Sequence, residues 1–278
     1  FAIDIDALAV GEVSLGNAVL RTRPVPAGLR IVQLQTRSPA QRIDVQGDWV
    51  GNGARARTRV AVAVDSEDFG ALLGGLGYGG QLDGGNGRAT LDATWPGSPA
   101  GFSLLALDGS LELDARDGQL TEVEPGAGRV LGLLGIAQLP RRLTLDFSDF
   151  FERGFAFDRI HGTVRLAGAR ASTDAITIAG PAAEIGIRGS ADLRAQTFDQ
   201  VIEVVPRTGN LLTVAGAIAG GPVGAAIGAA ANAVLRKPLG ELSAKTYRVS
   251  GPWKDPEVEV VGRGPPAATA AVAQPPAG

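Results

Sequence analysis

Cysteine is absent from this 278-residue chain, and histidine occurs once, as His161. Without thiols the chain can form no disulfide, no thiolate nucleophile and no cysteine-bound zinc cluster. The histidine lies at a turn-to-strand junction in DRIHGTV, and no G-x-S-x-G nucleophile motif precedes it, so a structural or surface role is favoured. We therefore expect no enzyme, no metal site and no cofactor.

An excess of positive charge is also missing. Lysine and arginine total 26 against 29 acidic residues, which gives a net charge of −3 and a pI near 5.3. A general nucleic-acid-binding protein needs a basic surface, so we expect no nucleic acid partner. Aromatic residues make up only 5% of the chain. Tight small-molecule sites usually use aromatic and convergent polar contacts, so this composition favours an aliphatic channel without a fixed ligand.

Two motifs that could carry chemistry are weak. The sequence GLGYGG at 75–80 matches G-x-G-x-x-G, but a short helix precedes it and strand residues follow it. A dinucleotide site needs the opposite order, so we interpret this stretch as a flexible turn. Asp146 and Asp149 are three residues apart without a third acid or an EF-hand pattern, so loop capping explains them better than metal binding.

Apolar and polar residues alternate along most of the chain. Examples are AIDIDALAV (2–10), RTRVAVAV (57–64), GSLELDARDG (109–118) and AEIGIRGSADL (183–193). Turn signals such as Gly84-Gly85, Asp108-Gly109 and Asp117-Gly118 separate many of these runs, at spacings typical of an antiparallel meander. The pattern predicts a mainly β fold built on a long, twisted antiparallel sheet with one apolar face.

That apolar face must be covered. A second sheet would give a closed β-sandwich, whereas acyl chains would occupy an open groove, and alternation alone does not choose between them. The residues expected to line the face are Val60, Val62, Val64, Leu91, Leu111, Leu113, Leu143, Leu145, Phe147, Val164, Leu166, Ile176, Ile178, Ile185 and Ile187.

Helical patterns are few and short. Residues 66–76 begin with an N-cap-like Ser66 and carry apolar residues at helical spacing. Residues 129–139 form a second candidate, which Pro140 ends. We expect residues 1–262 to form one domain, and the Pro- and Ala-rich residues 263–278 to be a disordered tail.

The third helical candidate is the uncharged stretch 211–235, LLTVAGAIAGGPVGAAIGAAANAVL. Its strongly apolar residues favour membrane insertion by only about 2 to 5 kcal/mol in total, which is marginal for a span. Gly220-Gly221-Pro222 divides it, so we expect a hairpin of two short helices. This hairpin either caps the sheet or dips into a membrane leaflet. The residues expected to contact the membrane are Leu211, Leu212, Val214, Ile218, Val223, Ile227, Val234, Leu235, Arg236 and Lys237.

Several longer stretches resemble the C-terminal part of the YhdP branch of the AsmA-like proteins. They are Trp95-Pro96-Gly97, LPRRLTLDFSDFFERGFAFD (139–158), GPAAEIGIRGSADL (180–193) and YRVSGPWKDPEVEV (247–260). The resemblance covers about residues 3 to 262. It implies a periplasmic protein of Gram-negative bacteria, anchored in the inner membrane by an N-terminal helix. Because the chain starts at Phe1 and enters a strand at once, we expect that helix to lie upstream in a longer protein.

Members of this family are similar to bridge-like lipid transfer proteins. The resemblance implies a β-sheet bent like a taco shell into an open groove, along which phospholipid acyl chains pass without catalysis. This region would be the end nearest the outer membrane, touching its inner leaflet and outer-membrane proteins. Two alternatives stay open: a structural or assembly factor for the outer-membrane barrier that carries no lipid, and a periplasmic hydrolase.

Overall fold

The computed structural model describes residues 1–79, 82–121, 154–207 and 244–264. These residues form one 13-stranded sheet in which the spatial order of the strands is their order in the sequence. The strands are β1 Ala2–Val10, β2 Val13–Val25, β3 Gly28–Arg37, β4 Gln41–Val50, β5 Arg57–Ser66, β6 Leu82–Pro96, β7 Asp108–Leu120, β8 Phe155–Ala167, β9 Arg170–Ala179, β10 Ala183–Asp192, β11 Thr197–Pro206, β12 Ala244–Pro252 and β13 Glu257–Gly264.

Every strand pairs antiparallel with its neighbour in the chain, and β1 and β13 are the two edges of the sheet. The predicted mainly β fold with a long antiparallel sheet is therefore confirmed. Because the strands alternate in direction, their connections alternate between two ends of the sheet. We call the end with the β1–β2 connection the lower end and the end with the β2–β3 connection the upper end.

The prediction of turns at three dipeptides was wrong, because these dipeptides lie inside strands. Gly84-Gly85 belongs to β6, and both Asp108-Gly109 and Asp117-Gly118 belong to β7. Gly84, Gly85 and Asp117 have φ values of 65°, 85° and 54°. A Cβ on Gly118 would lie only 2.9 Å from the backbone nitrogen of Gly85, so the two strands approach each other closely there. These glycines therefore shape a pair of continuous strands rather than end them.

The connection between β5 and β6 contains the helix α1, Phe69–Leu73, followed by a five-residue π-helical stretch, Gly74–Tyr78. The N-cap is Asp68, whose carboxylate accepts a hydrogen bond from the Ala71 amide at 2.8 Å. Ser66 is still the last residue of β5, and its hydroxyl accepts from the Asp68 amide at 3.2 Å. The other two helical candidates, 129–139 and 211–235, lie outside the described residues, as does the tail from residue 265.

Gly75 holds the helical connection against the β1–β2 turn. Its carbonyl accepts a hydrogen bond from the Glu12 amide at 3.1 Å, and a Cβ at Gly75 would lie 2.3 Å from Cγ2 of the buried Val13. At Gly74, by contrast, a Cβ would meet only Gly79, at 3.9 Å.

We expect Gly75→Ala to destabilise the protein by about 1–3 kcal/mol, because it overpacks the contact with Val13. Thermal unfolding followed by circular dichroism checks this. Gly74→Ala is the matched control: it gains the same helix propensity without the clash, so its melting temperature should be unchanged or higher. Equal melting temperatures of the two variants would show that Val13 moves aside for the added methyl group without loss of stability.

Candidate functional site: the apolar face of the sheet

One face of the sheet is largely apolar from edge to edge. In an antiparallel sheet, directly paired residues point to the same side, so the register traces which side chains share a face. Starting at β5, Val62 pairs with Val45 on one side and with Leu91 on the other. The complete row from β1 to β8 is Ile3, Leu20, Leu34, Val45, Val62, Leu91, Leu111 and Val164.

A second row runs beside the first and reaches the other edge. It consists of Ile5, Ala18, Thr36, Ile43, Val64, Ala89, Leu113, Gly162, Ile176, Ile187, Ile202, Tyr247 and Val260. Thirteen strands at a spacing of about 4.8 Å make this track roughly 58 Å long. It runs across the strands, and it is longer than the hydrocarbon core of a bilayer, about 30 Å.

The residues expected to line the face and described in the structure all point to this side by register. Val60 is linked through Ala93 and Gly109 to Leu166, and Ile178 pairs with Ile185. Leu143, Leu145 and Phe147 lie outside the described residues. The face also includes residues that were not expected, namely Leu20, Leu34, Ile43, Val45, Ile202, Val204, Tyr247 and Val249. The alternation in QRIDVQGDW and DQVIEVV could have revealed four of these eight, namely Ile43, Val45, Ile202 and Val204.

Exposure divides the face into two halves. From β1 to β7 most of the large apolar side chains are only half-buried, and at the edge Ile3 and Ile5 are 43% and 37% exposed. From β8 to β12 they are buried: Ile178 and Ile202 are 0% exposed, and Ile185 is 1% exposed. The first half therefore offers an apolar surface that solvent reaches, whereas the second half is packed as a core.

Two connections fold over the apolar face at its opposite ends. At the lower end, Phe69 and Leu72 of α1 are buried in the same apolar cluster as the face. At the upper end, the β6–β7 connection buries Leu107 in that cluster, and Phe102 packs edge-on against Trp95 at 5.4 Å between ring centres. The half-exposed floor between them includes Val62, Leu91 and Leu111. The arrangement is that of a trough with a rim at either end of its strands.

The opposite face is charged. Its cross-strand ion pairs include Arg21–Asp4, Arg88–Asp65 and Arg159–Asp114, at 2.7, 3.3 and 2.5 Å. Hydrogen bonds from the Arg159 guanidinium hold the pKa of the Asp114 carboxyl below its ordinary value. Exposed pairs of this kind add little stability individually. Their charges keep this face hydrated, so the apolar face is the one that is buried.

The chain's one histidine lies away from the apolar face. His161 is an exposed strand residue on the charged face, paired with Asp114 and Thr177. No cluster of three or more His, Asp or Glu side chains within the described ranges is placed to hold a metal ion. Among the same residues, every helix is too short or too polar to cross a membrane.

These features define an open, one-sided β-sheet protein with an extended, largely apolar surface. The chain belongs to the YhdP protein family, whose family model matches residues 1–258. It is similar to the intermembrane phospholipid transporter YhdP of Escherichia coli (strain K12), with 29% identity over 225 residues. The match covers 81% of this chain but only 18% of that protein. No solved structure matches the chain.

Proposed function

We propose that this chain carries phospholipids, with their acyl chains lying on the apolar face, by passive movement along the trough. The observation that carries the proposal is the largely apolar track across thirteen strands, half-exposed from β1 to β7. A half-exposed apolar surface of that length is unfavourable in water, and acyl chains are the occupant whose shape and chemistry fit it. Membership of the YhdP family supports the same reading.

The wider setting is proposed on the same basis. The chain is a part of a longer periplasmic protein that is anchored in the inner membrane by an N-terminal helix, and residues 1–262 are one lipid-carrying unit. This unit is the end nearest the outer membrane, where the inner leaflet and outer-membrane proteins are its partners. It catalyses no reaction, because movement along a continuous apolar surface needs no covalent step.

Native mass spectrometry of the purified chain tests the proposal. We expect discrete mass increments of bound phospholipid, which organic extraction removes. A structural or assembly factor without a carrier function predicts the bare protein mass. Protein incubated with phospholipid vesicles and repurified provides the second reading, since a true carrier reloads after extraction.

We also propose that residues 211–235 contact the membrane as a helical hairpin. The strands that they join, β11 and β12, meet at the lower end of the sheet, the same end as α1. Arg236 and Lys237 would then lie among anionic headgroups, each contributing about 1 kcal/mol near such a surface.

Deleting 211–235 should therefore abolish flotation with anionic liposomes, and charged substitutions at Ile218 and Ile227 should do the same. The melting temperature of the β-sheet should change little, because the strands retain their pairing. Equal flotation of the intact and shortened chains would reduce the segment to a cap.

A further inference from the structure

The upper end of the β1–β7 half is basic. Its three connections, each taken with the last three residues of the strand before it and the first three of the strand after it, span residues 23–30, 48–59 and 94–110. They hold five arginines and two aspartates, a net charge of +3 in a chain whose total is −3. The five arginines are all exposed, and they are Arg23, Arg30, Arg55, Arg57 and Arg59.

The lower end of the same half is acidic. The corresponding residues that the structure describes within 8–15, 35–43 and 64–84 hold five acids and two arginines, a net charge of −3. The charge therefore changes sign along the strands, over roughly 33 Å for a strand of ten residues. An anionic group on this half of the sheet is drawn towards the upper end.

The arginines of the upper end have little acidic charge beside them. Arg23 and Arg30 are direct cross-strand partners, and like charges in this position destabilise a sheet. Asp48 lies 3.6 Å from Arg30. The other four arginines form no ion pair with any other residue that the structure describes. An anion bound from outside would therefore relieve repulsion that the chain itself leaves uncompensated.

Two of these arginines lie where the strands end. Arg57 is the first residue of β5, and Arg55 belongs to the connection before it. They flank Ala56, whose carbonyl accepts a hydrogen bond from the Gly97 amide at 2.7 Å, so the sheet-like bonding continues to this edge. Arg55 and Arg57 are therefore the arginines nearest to a group that projects past the ends of the strands.

The apolar face has an aromatic boundary at the same end. Trp49 is the penultimate residue of β4, and its cross-strand partners on the apolar face are Leu29 and Thr58. Its side chain is 39% exposed. Tryptophan is favoured where an apolar surface meets water, because its ring is apolar and its N–H is polar. Trp49 therefore marks the upper limit of the apolar floor.

The floor is long enough for acyl chains that lie along the strands. On β4 it extends from Trp49 to Ile43, six residues or about 20 Å. Half of a bilayer's hydrocarbon core, which the chains of one lipid fill, is roughly 15 Å. The buried Phe69 and Leu72 of α1 close the floor at its lower end. A lipid with its chains on this floor therefore has room only if its headgroup lies at the upper end.

We propose that phospholipids lie on the β1–β7 floor with their chains along the strands and their phosphates at the upper end, beside Arg55 and Arg57. This inference rests on the proposed carrier function and adds to it the orientation of the lipid and its phosphate site. Guanidinium groups suit this role, because they bind phosphate oxygens through paired, charge-assisted hydrogen bonds. The other three arginines add to the positive potential of the same edge.

Photocrosslinking with two lipid probes determines the orientation. One probe is a phosphatidylethanolamine with a benzophenone on its headgroup, and the other carries a diazirine at the end of one acyl chain. After loading of the extracted protein, irradiation and proteolysis, we expect the headgroup probe on peptides from 23–30 and 48–59. The acyl probe should label peptides from 64–79. The reverse pattern, or equal headgroup labelling at both ends, would overturn the orientation.

Removing the two arginines tests the phosphate site. The extracted protein is offered equal phosphatidylglycerol and diacylglycerol with identical acyl chains, and native mass spectrometry reads what it retains. We expect the wild type to retain roughly fivefold more phospholipid, and the Arg55→Gln, Arg57→Gln double variant to bring the ratio to within about twofold of one. Its melting temperature should not fall, because neither arginine has an ion pair within the described chain.

Arg37→Gln, Arg188→Gln is the matched control. It also removes two exposed arginines without an ion pair among the described residues, and both lie away from the upper end. The retention ratio of this variant should equal that of the wild type. An equal fall in both double variants would attribute the effect to net charge and overturn the phosphate site.

The outcomes separate this inference from the proposed function. No bound lipid of either kind in the wild type would overturn the carrier function itself. Normal lipid loading with an unchanged ratio in Arg55→Gln, Arg57→Gln would overturn the phosphate site alone.

Inorganic phosphate, compared with sodium chloride at equal ionic strength, identifies the source of the anion. Lipid that stays bound at millimolar phosphate supports a lipid ligand. Phosphate that binds and displaces the lipid would instead assign the arginines to a free anion and overturn the proposal.

Discussion

Replacing Val62 by arginine should abolish phospholipid binding while leaving the sheet folded. Val62 is half-buried in the middle of the trough floor, between its cross-strand partners Val45 and Leu91. A cation placed among acyl chains costs about 2.5–3.5 kcal/mol, which corresponds to a roughly 100-fold loss of affinity. The arginine side chain can still extend into the open trough, so we expect only a small change in melting temperature.

Ala61→Arg provides the matched control for this variant. Ala61 is the preceding residue of the same strand, and it points to the charged face, where its partners are Gln46 and Asp92. Photocrosslinking to labelled phospholipid should fail for Val62→Arg and persist for Ala61→Arg. Equal loss in both variants would contradict a one-sided lipid surface. Loss of the β signal in circular dichroism for Val62→Arg alone would show that Val62 belongs to a closed core.

The one-sided character of the sheet could be predicted from the sequence because it depends only on alternation. Runs such as RTRVAVAV and GSLELDARDG place every second residue on one side, and antiparallel pairing brings those sides together. Irregular register was not predictable in the same way. Between Ile31 and Leu34, and again between Gly162 and Arg165, the pairing shifts by one residue. Each shift changes which residues share a side, and its position depends on contacts between strands rather than on local sequence.

Local turn chemistry also misled the sequence interpretation. Dipeptides such as Asp117-Gly118 favour tight turns in isolation, but here pairing of β6 with β7 continues through them. The gain from continuous cross-strand hydrogen bonds and side-chain contacts outweighed the local preference. Asp68 replaced Ser66 as the helix cap for a similar reason, since Ser66 completes β5 by pairing with Gln41 and Gly87.

Truncating an apolar side chain should cost more stability in the buried β8–β12 half of the face than in the half-exposed β1–β7 half. Ile178 is 0% exposed, and it packs between its cross-strand partners Ile160 and Ile185. Ile178→Ala removes a fully buried branched side chain and leaves a cavity, which typically costs about 2–5 kcal/mol. Leu111 lies on the same face but is only half-buried, so Leu111→Ala leaves no closed cavity and should cost roughly 1–2 kcal/mol.

Stability and lipid retention should therefore separate in these two variants. Urea unfolding of the lipid-free protein should show the larger loss for Ile178→Ala, because Ile178 is fully buried whereas Leu111 is only half-buried. Native mass spectrometry at a temperature where both variants are folded should show the larger loss of bound phospholipid for Leu111→Ala, because that side chain touches the acyl chains. If Ile178→Ala instead lost lipid more than Leu111→Ala while losing less stability, acyl chains would enter the β8–β12 half. The β8–β12 half, which is buried in the lipid-free fold, would then be the lipid-contacting surface instead of the β1–β7 half.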